Sequence, residues 1–140
     1  MTPDDAPSDL PARLALVTGR LNRRLRTAGG GLSHGLLSAL ATISKQGPLR
    51  LAELAQVEQV SAPSTTRLVA ELEAKGLVSR TPDPDDGRAI LISVTEAGQR
   101  TVLVARSARA DVMAELLERL APDEVAAIAV ALPALEKTIG

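Results

Sequence analysis

The chain has 140 residues and a mass of 14.6 kDa, enough for one domain with its own core. Lys and Arg number 16 against 17 Asp and Glu, a formal net charge of −1, which excludes a polybasic protein that binds through global charge. Cys, Phe, Trp and Tyr are absent and His34 is the single histidine, so thiolate chemistry, zinc–thiolate sites, thiol redox sensing and base stacking on aromatic platforms are all excluded.

The segment Met1 to Asp9 is acidic and contains proline, without the basic and apolar regions of a signal peptide. No apolar run approaches the roughly 18 residues of a membrane span. The expectation is a cytoplasmic protein with no membrane partner. Asp9 followed by Pro11 reads as a helix start, with the carboxylate near the N-cap and proline in the first turn. Leu10, Leu14, Val17, Leu21 and Leu25 then recur at helical spacing, and Gly29-Gly30-Gly31 ends the helix. Ser33 is the expected cap of a second helix with Leu36, Leu37, Leu40 and Ile43 on one face, stopped by Gly47-Pro48.

A short apolar stretch, Leu49 to Leu51, precedes a helix of about two turns over Ala52 to Val57. Ser61-Ala62-Pro63-Ser64 opens the next helix, with Thr65, Leu68 and Leu72 inward and Gly76 in the position of a left-handed C′ glycine. Leu77 to Thr81 and Ala89 to Val94 are β-prone and flank Pro82-Asp83-Pro84-Asp85-Asp86-Gly87-Arg88, a turn-rich tip that predicts a β-hairpin. Thr95 caps a long helix with a stripe through Val102, Ala105, Val112, Leu116 and Leu120. Pro122-Asp123-Glu124 opens a last helix with Val125, Ile128, Leu132 and Leu135 facing inward and a kink or break expected at Pro133.

Two short helices joined by a tight turn and followed by a hairpin make a winged helix-turn-helix. The second helix is polar where DNA would lie: Ser61, Pro63, Ser64, Thr66 and Arg67 occupy its first turns and outward face. Hydroxyls suit phosphates or base edges, and an arginine grips either a phosphate or a guanine. Arg88 stands just after the hairpin tip, where a guanidinium can enter a minor groove. Asp86, two residues earlier, is read as pairing with Arg88 and aiming it, and Asp83 and Asp85 as turn formers. Taken singly, Ser61 and Ser64 are adequate helix caps and Arg88 a solvated arginine; their combination carries the DNA reading. His34 reads as a structural or surface residue, and Arg20, Arg23, Arg24 and Arg26 as a solvated helix face.

With these segments in view, the chain resembles the MarR family of bacterial transcriptional regulators over nearly its whole length. The resemblance rests on Ser61 to Leu68 continuing through Leu72 to Val78, similar to the family's recognition helix and its exit. It rests also on Asp86, Arg88 and Thr95, which match in register the family's signature of Asp, any residue, Arg, five residues, Leu and Thr, with Val94 in place of the Leu. The resemblance implies a mainly α (α+β) single domain over 1–140. Its dimerisation helices would lie at about 10–28 and 95–139 and its DNA-binding lobe at about 33–94. It implies a homodimeric repressor on a pseudo-palindromic operator of double-stranded DNA, often relieved by a small-molecule effector. The missing aromatics leave an aliphatic effector pocket or none, and no cofactor or enzymatic activity is expected. A winged helix used only for protein–protein contact is the alternative from another class.

Overall fold

The computed structural model describes residues 8–28 and 31–140; most of the acidic N-terminal segment and Gly29-Gly30 of the glycine run lie outside them. Among the described residues six helices and a small sheet follow one another: α1 (Leu10–Leu25) with a 3-10 turn over Arg26–Ala28, α2 (His34–Gln46), β1 (Leu49–Arg50), α3 (Leu51–Glu58), α4 (Ala62–Ala74), β2 (Val78–Pro82), β3 (Ile90–Val94), α5 (Glu96–Leu117) and α6 (Pro122–Ile139). This is a winged helix-turn-helix with flanking helices.

The core is aliphatic and sits where α2, α3, α4 and the sheet meet. Leu36, Leu37, Leu40 and Ile43 form the buried face of α2, as their spacing predicts, and Ser33 caps the helix by accepting the Leu36 amide at 3.3 Å. Leu54 of α3, Val69 and Leu72 of α4 and Ile92 of β3 complete it, with Thr65 buried among them. Thr65 costs little there because its hydroxyl donates to the Ser61 carbonyl at 2.9 Å. The glutamate at the end of α3 clamps α2: Glu58 accepts hydroxyls from Ser38 (2.7 Å) and Thr42.

The sheet has the order β1-β3-β2, antiparallel throughout, with Val78 opposite Val94 and Leu49 opposite Ile92. β1 is a two-residue strand that the sequence shows only as a short apolar stretch. The exit from α4 is a Schellman turn: Leu77 N–H donates to the Leu72 carbonyl (3.0 Å) and Gly76 N–H to that of Glu73 (2.9 Å), with Gly76 at φ +72° as expected. Directly after β3, Thr95 caps α5 by accepting the Gly98 amide at 3.1 Å.

Four expectations are corrected. Asp9 occupies the N-cap position of α1 but its side chain caps nothing; its carboxylate lies instead 3.8 Å from Arg13, one turn on. Pro133 does not break α6, which runs unbroken from Pro122 to Ile139. Proline there removes a single N–H, and the carbonyl left over, that of Ala129, is on an exposed residue that water can reach. Ile128, Leu132 and Leu135 do not face inward: they are 45%, 47% and 41% exposed, and α6 makes no substantial contact with any other element among the described residues. α5 ends at Leu117, so Leu120 lies beyond the helix and is exposed, although Val102 and Ala105 are buried as expected.

Gly98 is where α5 and the sheet meet most tightly. A Cβ on it would stand 2.1 Å from the Leu77 carbonyl oxygen and 2.8 Å from Val94 Cγ2. A backbone atom cannot swing aside, so Gly98→Ala is expected to destabilise the chain by about 1–3 kcal/mol or more, the cost of forcing a methyl into a filled site. Urea unfolding followed by circular dichroism measures it; an unchanged midpoint would contradict the close approach.

Candidate nucleic-acid interface

The first turn of α4 is built by its own side chains. Ser61 accepts the Ser64 amide (3.3 Å) and donates its hydroxyl to Ser64 Oγ (2.9 Å). Pro63 sits in the first turn, where the missing N–H is not needed. Arg67 Nη2 reaches Ser64 Oγ at 3.4 Å, leaving its remaining N–H groups free, and Thr66 donates to the Ala62 carbonyl at 3.0 Å. Ser61, Pro63, Thr66 and Arg67 are exposed, Ser64 is half-buried, and Thr65, Val69 and Leu72 hold the opposite face in the core. Five of the seven expected site residues therefore stand together on one helix end. The hydroxyls of Ser61 and Thr66 donate internally, whereas the Ser64 hydroxyl only accepts, so Ser64 and Arg67 are the groups there with donors to spare.

Arg88 and Asp86 are at the tip of the wing between β2 and β3, both exposed. Asp86 does not pair with the Arg88 guanidinium. Its Oδ1 accepts the Arg88 backbone amide at 3.1 Å and its carbonyl accepts that of Ala89 at 2.9 Å, the local turn chemistry of a short carboxylate. Asp86 thus shapes the backbone that carries Arg88 and leaves the guanidinium free. This corrects the aiming role expected for it.

Asp83, read from sequence as a turn former, does more. One oxygen accepts the Asp85 amide at 2.9 Å; the other accepts both Arg50 Nε (3.1 Å) and Nη2 (2.6 Å). Arg50 precedes α3 and its amide donates to Glu53 Oε1 at 3.2 Å, so the base of the wing is tied to the first helix of the helix-turn-helix. A second tie joins β2 to the recognition helix, Arg80 Nε to Glu73 Oε2 at 3.0 Å. Neither tie was visible in the sequence: 33 residues separate Arg50 from Asp83, and Glu73 and Arg80 lie on a helix and a strand whose turn brings them together.

The Arg50 hydrogen bonds, and then the Asp85 amide, hold the Asp83 carboxyl below the ordinary aspartate value of 3.8, and the same contact raises Arg50. Asp83 is buried whereas the Arg50 side chain is 44% exposed, so water screens the pair from one side. Because the folded carboxyl is the more acidic, the tie contributes its full stability above pH 3.8 and loses it as pH falls through the lowered value. Asp83→Asn is therefore expected to lower Tm at neutral pH, with the gap to the parent protein narrowing below about pH 4. Thermal melts across pH check this; a gap that widens in acid would refute the assignment.

Among the described residues, no cluster of three or more His, Cys, Asp or Glu is arranged to hold a metal, and no helix is long and apolar enough to cross a membrane. A model of the MarR family matches residues 32–90, which span α2 through the tip of the wing to the first residue of β3. A transcriptional regulator of the helix-turn-helix type from Mycobacterium bovis is 41% identical over 118 residues, covering 83% of this chain and 82% of that one. The helix-turn-helix transcriptional repressor MdtR of Bacillus subtilis is 30% identical over 95 residues, covering 68% and 61%. Among solved structures, wild-type MarR from E. coli in its apo form superposes with a TM-score of 0.79 at 26% identity, covering 90% of this chain and 96% of that one. The YusO protein from Bacillus subtilis gives 0.76 at 25%, covering 98% and 99%. The arrangement of α4 and the wing, the family match and these likenesses agree: the chain belongs to the MarR family of DNA-binding transcriptional regulators.

Proposed function

We propose that two copies of this chain form a two-fold dimer that represses transcription in the cytoplasm by occupying a pseudo-palindromic operator. The observation that carries the reading is the first turn of α4, polar and exposed on one side and locked into the core on the other, beside a wing whose Arg88 makes no salt bridge among the described residues. In this reading α4 enters the major groove through Ser61, Pro63, Ser64, Thr66 and Arg67. Arg88 enters the neighbouring minor groove, on a turn shaped by Asp86. The lobe 33–94 reads DNA; the helices at 10–28 and 95–139 hold the dimer. The repressor named in the Bacillus relative supports the direction of regulation.

The dimer is supported by apolar surface that one chain leaves uncovered. Leu10, Leu14 and Val17 on α1 are 46%, 41% and 51% exposed, and Ile128, Leu132 and Leu135 on α6 are similarly open. Patches at helical spacing on both terminal helices belong against another surface, and a second copy supplies the same stripes. A small-molecule effector fits the open cavity of about 400 Å³ between α1, α2 and α5, lined by Leu21, Leu25, His34 and Met113 without Phe, Trp or Tyr.

Sedimentation at micromolar concentration is expected to give about twice 14.6 kDa. A clean monomer that still bound a palindrome tightly would sink the dimer.

For DNA, Arg67→Ala and Arg88→Ala are each expected to weaken binding and flatten its salt dependence. Each phosphate that a protomer no longer neutralises changes the log–log slope by about 0.9, so about twice that for a dimer. If Arg67 grips a base, its loss costs about 1–3 kcal/mol per site and relaxes preference at one position of each half-site. Arg88→Ala instead alters the preference for A·T content and groove width. Anisotropy titrations against promoter DNA at several salt concentrations check both. Unchanged affinity in both variants would contradict these two contacts, whereas a dimer that binds no promoter DNA would favour a protein-binding winged helix over a DNA-binding one.

A further inference from the structure

A helix cap needs only an acceptor: Ser, Thr, Asp and Asn all serve by taking up a free amide of the first turn. Thr95 does this for α5, accepting the Gly98 amide at 3.1 Å. Its hydroxyl also has one proton to give, and that proton goes to the Gly76 carbonyl at 2.7 Å, the residue on which α4 turns into β2. The Thr95 amide donates to the next carbonyl, that of Leu77, at 3.0 Å. Gly98 presses on the same carbonyl closely enough that no side chain fits between. The turn that ends the recognition helix is thus bonded directly to the N-cap of α5, across 19 residues of sequence, through a group whose capping duty did not require it.

α5 has 22 residues and is therefore about 33 Å long. Over that length, a rotation of about 6° at the junction moves the far end by about 3.4 Å, the rise of one base pair. The apolar packing of α2 on α5 through Leu37, Val102 and Ala105 is non-directional and tolerates such a rotation better than hydrogen bonds do. We propose that Thr95 is a positioning residue for DNA recognition: by joining the exit of α4 to the start of α5 it sets the separation of the two recognition helices, and so the half-site spacing the dimer accepts. The inference rests on the two-fold reading above and adds to it a residue that touches no DNA.

Thr95→Asp separates the two duties, since aspartate caps α5 as well as threonine does but cannot donate to the Gly76 carbonyl. Thr95→Ser keeps both bonds, and Thr95→Val, which loses both, brackets them. Each full-length protein is titrated against an operator selected by the parent protein from a random duplex library, against the same operator lengthened or shortened by one base pair between half-sites, and against one isolated half-site. The parent is expected to lose about tenfold in affinity on either change of spacing, and Thr95→Asp less than about threefold, while its half-site affinity stays within about twofold. Thr95→Ser is expected to restore the parent's profile. A Thr95→Asp protein with the parent's spacing profile would overturn the inference, as would a uniform loss on all duplexes, which marks a merely structural role. A parent protein that binds half-site and palindrome equally would instead overturn the two-fold reading, and the spacing role with it.

Discussion

The contact on which the rest of the molecule depends is the seating of the first turn of α5 on the Leu77 carbonyl. It is possible only because residue 98 has no side chain and because Gly76, at φ +72°, turns the chain sharply out of α4. From that point the recognition helix, the two long strands of the wing and the long helix α5 all diverge. β2 begins one residue beyond Leu77, and β3 ends one residue before Thr95, with Val78 and Val94 paired as the first rung. Few torsions separate the DNA-reading end of the chain from its apolar helices. Such a joint transmits orientation, which the proposed dimer, working through two separated half-sites, requires.

Placement rather than quantity of charge does the electrostatic work. Residues 45–106 carry eight basic and eight acidic groups, so no basic excess attracts DNA to this lobe. Two of the three carboxylates of the acidic wing are occupied within the chain. Asp83 neutralises Arg50 at the base of the wing, and Asp86 is turned onto the Arg88 backbone amide. Glu73 likewise holds Arg80. Arg67 and Arg88 make none of the salt bridges found among the described residues, and both are exposed. These acidic groups hold the scaffold, and in the proposed complex Arg67 and Arg88 are left for DNA.

The parts legible in the sequence are those set by local rules. The α2 stripe, the Ser33, Ser61 and Thr95 caps, the left-handed Gly76 and the hairpin all follow from periodicity, capping and turn chemistry over a few residues. What escaped depends on residues far apart. Arg50 reads as one more polar position until the wing folds back to it, Gly98 as an unfavourable helix glycine until Leu77 lies against it. β1 is too short to show a period. The α6 residues expected inward form an apolar face that one chain leaves exposed: amphipathic spacing shows which side of a helix is apolar, not what covers it. The candidate site was legible for the same reason as the caps, since a helix start announces both its amide-capping groups and the positions that can enter a groove.

In the proposed complex, two copies of α4 read successive major grooves while two wings reach the grooves beside them. Hydroxyl-radical footprinting of the full-length protein on an operator selected from random DNA tests this most directly. Two-fold docking predicts a symmetric footprint, with two protected clusters about 10 base pairs apart on one face of the duplex and weaker protection outside each, where Arg88 would lie. A single asymmetric patch, or protection covering only one groove, would contradict it.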